Sequence, residues 1–182
     1  FYVSLEGFDA HADKGPRLTE LLRELDDALK CFTEEVKAQG VWNNVTIVQA
    51  SEFSRTLTSN GLGTDHAWGG NYFVAGGGLE GGVIHGQFPS DLTDDGPLSI
   101  GRGRLIPTTP WEAVWKPIAE WFGVSNKNME AVLPNINNFP AELMIDKSNL
   151  YMEFTKFEPT SLPITSKTPT IVPSGSPSSV PS

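Results

Sequence analysis

The chain has 182 residues, a length that points to one domain. Its 13 basic and 22 acidic residues leave a formal charge of −9. That excludes the basic face with which a general nucleic-acid binder meets phosphates. No run of about 18 or more apolar residues occurs, so no membrane span is expected. With Cys31 as the one cysteine, the fold cannot rest on intrachain disulfides.

The chain opens without Met, in an apolar and β-prone run, Phe1–Gly7. This predicts a buried strand and an upstream part that is missing here. A polar loop follows, from Phe8 to Asp13. Pro16 suits the first turn of a helix. Leu18, Leu21, Leu22, Leu25, Leu29, Phe32 and Val36 then recur at helical spacing, which predicts one apolar face until Gly40 stops the helix. Val45–Ala50 reads as a second strand. Strand, long helix and strand in succession predict a parallel, right-handed βαβ unit and an α/β fold.

Residues 61–86 hold ten of the 18 glycines and surround a third predicted strand, Asn71–Ala75, and a shorter one at Val83-Ile84. Residues 87–109 read as a long loop with a turn at Asp94-Asp95-Gly96-Pro97. Pro110 opens a second helix, which Lys116-Pro117 is expected to bend and Gly123 to end. A short helix at Met129–Leu133 and an edge strand at Tyr151–Phe154 complete the expected domain, residues 1–158. Residues 159–182 contain six Pro, seven Ser and four Thr, with Lys167 the one charge. That composition predicts a disordered, extended linker of the kind found in secreted stalks. Asn44-Val45-Thr46 is a glycosylation acceptor if the protein is secreted.

Both predicted parallel strands run into chemistry-bearing residues at their carboxyl ends, where open α/β sheets bind ligands. Asp9 and His11, two apart, suit two ligands of one metal ion; the plainer reading is a loop with a helix-capping acid. Glu52 could ligate a metal and Arg55 could hold an anion through its planar fork; a salt bridge between them is the alternative. Asp65-His66 pairs a carboxylate with an imidazole, as suits zinc or a similar divalent ion, or else forms an Asx turn. His85 reads as structural and Trp111 with Trp115 as core packing. No phosphate-loop pattern and no G-x-S-x-G elbow is present, and no catalytic nucleophile is identifiable.

Gly7-Phe8-Asp9-Ala10-His11, Ser51-Glu52-Phe53-Ser54-Arg55-Thr56, Gly63-Thr64-Asp65-His66-Ala67-Trp68-Gly69-Gly70 and Gly103-Arg104-Leu105-Ile106-Pro107-Thr108-Thr109 occur in that order. Together with Trp121-Phe122-Gly123-Val124 and Leu133-Pro134-Asn135-Ile136, they resemble the secreted, sulfatase-like family DUF1501, a relative of the alkaline phosphatase superfamily. The resemblance runs over roughly residues 1–140. It implies a parallel-sheet, three-layer α/β sandwich of which this chain is the C-terminal half, with the nucleophile on the other half. It also implies a divalent metal such as zinc, with Asp9 and His11 as the Asp/His pair of one metal site, Glu52 as a ligand of the other, and His66 as the late histidine that precedes a strand. Glu52-Phe53 stands where the superfamily often has Asp-His, and Ser54 where the family usually has Gly. The expected activity is metal-dependent hydrolysis of a small phosphate or sulfate ester. The alternative is a secreted, non-catalytic binding or extracellular-matrix-associated module with a degraded metal site.

Overall fold

A computed structural model describes residues 1–12 and 15–153 of the chain. It is a mixed α/β structure with small antiparallel sheets. Helix α1 spans Gly15–Ala38, with Pro16 in its first turn. It ends as the glycine predicts. Gly40 adopts φ +72°, Gly40 N–H bonds to Lys37 O at 3.0 Å and Val41 N–H to Val36 O at 3.0 Å. This is a Schellman closure, which satisfies carbonyls that the helix leaves open. The apolar face is covered at Leu21 and Val36, whereas Leu18, Leu22 and Phe32 are exposed.

The strands depart from the expected parallel unit. Phe1–Gly7 forms no strand, and Phe1, Tyr2 and Val3 are exposed. The second predicted strand contracts to β1, Ile47–Val48, and the third to β4, Val74–Ala75. These two pair antiparallel, with Ile47 opposite Ala75 and Val48 opposite Val74. The expected parallel partner, Phe1–Gly7, forms no strand, and β1 pairs with β4 instead.

Between them lies a hairpin that the sequence reading took for polar loops. Strand β2, Ser54–Ser59, pairs antiparallel with β3, Thr64–Ala67. Asn60-Gly61 turns the chain. Asn60 Oδ1 accepts the N–H groups of Leu62 at 3.0 Å and Gly63 at 2.7 Å, and Gly61 takes φ +97°. Val83-Ile84 forms no strand and is exposed.

Helix α2, Trp111–Trp121, begins directly after Pro110 and runs through Pro117. Pro117 lacks the N–H that would bond back to Ala113, and its ring is instead fully buried. Gly123, at φ +93°, closes the helix as Gly40 closes α1, with Gly123 N–H on Glu120 O at 3.1 Å and Val124 N–H on Ala119 O at 3.0 Å. Short helices α3, Met129–Val132, and α4, Lys147–Leu150, follow.

The core joins Leu79, Ile118, Leu150 and Tyr151, with Val48, Val74, Trp115 and Trp121 packed against it. Tyr151 stacks on Trp121 with ring centroids 5.3 Å apart and meets Thr46 Oγ1 at 3.1 Å through its hydroxyl. Its backbone pairs with Leu79 in an isolated antiparallel bridge, where an edge strand was expected. Phe154 and the proline-rich segment 159–182 lie outside the described residues. Among those described, no helix is long and apolar enough to cross a membrane.

Candidate functional site

The β2–β3 hairpin builds the site. Its register sets Arg55 opposite His66, so the two side chains share one face of the ribbon. Phe53 lies two residues before Arg55 and shares that face by strand alternation. Its ring stacks flat on the His66 imidazole, with centroids 3.7 Å apart and an interplanar angle of 10°. The N-terminal segment crosses this face and brings in Asp9 and His11.

Asp9 is gripped from the hairpin. Its Oδ1 accepts a hydrogen bond from the Arg55 guanidinium at 2.8 Å and lies 2.9 Å from His66 Nε2. Arg55 also donates to Phe8 O at 3.1 Å and Thr64 O at 3.0 Å. One guanidinium thus staples the N-terminal segment to the hairpin. The anion that Arg55 holds is the Asp9 carboxylate. The hydrogen bond with His66 is the main cause that holds the Asp9 carboxyl below the ordinary aspartate range; desolvation opposes it, and the Arg55 charge adds to it.

His11 completes a trio. Its Nε2 lies 3.2 Å from Asp9 Oδ1 and 3.1 Å from His66 Nε2. Its Nδ1 faces Asp65 Oδ1 at 3.3 Å. With Nδ1 protonated toward that carboxylate, the Nε2 lone pair points at the trio. This is how a carboxylate behind a histidine orients a metal ligand.

Asp65 is itself tied down. Asn60 Nδ2 donates to its Oδ1 at 2.9 Å, Arg102 donates to its Oδ2 at 2.9 Å, and its backbone N–H bonds to the buried hydroxyl of Thr56 at 3.0 Å. The Asn60 hydrogen bond first, and His11 second, hold the Asp65 carboxyl below the usual range.

Three ligand atoms therefore converge: Asp9 Oδ1, His11 Nε2 and His66 Nε2, separated by 2.9 to 3.2 Å. Tetrahedral zinc with bonds of about 2.0–2.1 Å sets its ligand atoms about 3.3 Å apart. The donor set of two imidazoles and one carboxylate suits the same ion. Among the described residues this is the one group of three or more such side chains close enough to share a metal ion.

The residues of the site fall within a matched family region. The model of a family described as a protein of unknown function, DUF1501, covers residues 1–99 of this chain. The chain belongs to the DUF1501 family. The matched region holds Asp9, His11, Phe53, Arg55, Asp65 and His66; Gly103–Thr109 and the later segments of the sequence resemblance lie beyond it. No curated protein and no solved structure matches this DUF1501 chain.

Of the residues singled out from the sequence, Asp9, His11, Arg55, Asp65 and His66 come together. Glu52 does not join them: it is exposed, and its charge is felt by Tyr72, whose hydroxyl is pushed up mainly by burial and then by Glu52. Phe53, Asn60 and Arg102 were missed. Phe53 braces His66 through the stacked rings. Ser54, in place of the usual Gly, fits because Gly70 faces its side chain, leaving no room for a Cβ there.

Proposed function

We propose that this DUF1501 chain carries the metal-binding part of a hydrolase acting on small phosphate or sulfate esters. The observation that carries the reading is the convergence of Asp9, His11 and His66, with Asp65 behind His11. Those three would hold one divalent ion, zinc by donor type. Such an ion, when bound, supplies Lewis-acid stabilisation of charge on an ester oxyanion. Arg55 keeps Asp9 in place, Asp65 fixes the tautomer of His11, and Phe53 holds the plane of His66. Phe53 and the separation of Glu52 from the trio favour one ion over two.

In this reading the chain belongs to a larger α/β domain with a parallel, three-layer sheet of the alkaline phosphatase and sulfatase type. The nucleophile would come from the remainder of that domain: no Ser, Thr or Cys side chain among the described residues bonds to the trio. Secretion is the location we infer, from the Pro/Ser/Thr composition of residues 159–182.

Metal analysis tests the reading. One zinc or other divalent ion per chain, lost in an Asp9→Ala/His66→Ala double variant, supports it. A second reading, a secreted module that binds matrix without catalysis, is favoured by Phe53 at the strand end. That alternative has a degraded metal site, and a folded protein that holds no metal would favour it over the hydrolase.

A further inference from the structure

Arg102 is the one non-glycine residue with positive φ among those described, at 57°. It stands between Gly101 at +82° and Gly103 at +66°. An L side chain in this conformation is strained, and persists where the surroundings over-determine it. Here they do. The Asp94 carboxylate accepts the N–H of Arg102 at 3.1 Å and of Gly103 at 2.7 Å. Gly103 O accepts Leu57 N–H at 2.9 Å from β2, and a Cβ on Gly103 would strike the backbone of Leu57 and Thr58. The loop is clamped to the same hairpin that carries the trio.

The clamp sets the Arg102 guanidinium against Asp65, the carboxylate behind His11. Arg102 donates to Asp65 Oδ2, while the other oxygen of that carboxylate faces His11. The Arg102 side chain is 69% exposed, and Asp65 and its own loop are its polar contacts among the described residues. Arg55 is the opposite case. It is 24% exposed and already donates to three acceptors. A planar, exposed guanidinium with spare donors suits bidentate binding of a tetrahedral oxyanion.

We propose that Arg102 is the oxyanion-binding arginine of this site, holding the phosphate or sulfate group of the substrate ester, while Arg55 is a positioning residue for Asp9. This rests on the metal-site reading for the substrate class, yet its test stands apart from it. Asp65 holds the guanidinium in place, and the anion occupies the donors that face solvent.

The test is calorimetric titration of the full chain with inorganic phosphate, and separately with inorganic sulfate, before and after zinc loading. The informative variant is Arg102→Gly. Glycine accepts φ 57° without strain, so the loop keeps its shape while the guanidinium is lost. Arg102→Lys keeps the charge and loses the fork. The expected result is oxyanion binding by the wild-type chain, weaker by about tenfold or more in Arg102→Gly. Arg102→Lys should fall between them, and zinc uptake measured in all three separates loss of the oxyanion contact from loosening of Asp65. Stronger binding of one ion assigns the ester class. Wild-type affinity in Arg102→Gly, or no oxyanion binding by the zinc-loaded wild type, would overturn the assignment. A chain that takes up no zinc, yet loses oxyanion affinity in Arg102→Gly, would sustain Arg102 and remove the metal reading.

Discussion

His11 and Asp65 face each other across the site, Nδ1 to Oδ1 at 3.3 Å, and this contact aims the far nitrogen of His11 at Asp9 and His66. Two segments separated by about fifty residues are thereby locked into one geometry. The Asp65→Asn variant keeps the shape and removes the charge. Zinc affinity should fall roughly 10–100-fold, the range for loss of a partner behind a metal ligand. Competition against a chromophoric chelator measures it. An unchanged affinity would show that Asp65 does not orient His11.

Arg55 ties Phe8, Asp9 and Thr64 together. Arg55→Met keeps most of the aliphatic stem and deletes every donor. The two carbonyl groups that lose their donor should destabilise the chain by about 1–3 kcal/mol in urea unfolding. Arg55→Lys should recover part of that and leave zinc affinity below wild type, because one ammonium cannot span three acceptors. Full stability in Arg55→Met would mean that the N-terminal segment is held by other contacts.

Ile118 is buried among Leu79, Leu150 and Tyr151 in the core. Ile118→Ala removes methyl groups from that core and should cost about 2–5 kcal/mol. The same urea experiment reads it. Zinc uptake by the folded fraction should match wild type, since the site rests on the hairpin and not on this core.

Asn60 has two tasks. Its Oδ1 closes the hairpin turn, and its Nδ2 donates to Asp65. Asn60→Asp keeps the acceptor and removes the donor. The Asp65 carboxyl, now held below the ordinary aspartate value of about 3.9, should then titrate higher. A carboxyl depressed in the folded state contributes stability above its unfolded pKa. That stability is lost as pH falls through the folded pKa. The variant should therefore lose the Asp65 contribution at a higher pH than wild type does. Carbon-detected NMR of the Asp65 carboxyl reads the shift directly, and an unmoved midpoint would assign the depression to His11 and Arg102 instead.

The ligand residues could be found in the sequence because they are chemistry-bearing side chains at strand-like spacing. Asp9, His11 and His66 stood out by residue type, but they meet on the face of an antiparallel hairpin and not on the carboxyl rim of a parallel sheet that the sequence predicted. The helices were legible from Leu21, Val36 and Ile118 at helical spacing and from Gly40 and Gly123, which mark the Schellman closures. The strands were not. Ile47 and Val48 look alike for parallel and antiparallel partners, since the partner and not the residue decides the sense. The β2–β3 hairpin is built from Ser, Thr and Arg and lacks an apolar alternation, so its one sequence signal is Asn60-Gly61. Arg102 escaped because its role follows from a backbone conformation set by Asp94, eight residues away. The trace in the sequence is its position between two glycines.

The central claim is that Asp9, His11 and His66 bind one metal ion. The most direct measurement is the metal content of the full-length protein by plasma mass spectrometry, beside the Asp9→Ala/His66→Ala variant, with circular dichroism to verify that both are folded. The account predicts one divalent ion per wild-type chain and none in the variant. A folded wild-type protein that holds no metal, or a variant that retains it, would contradict the account.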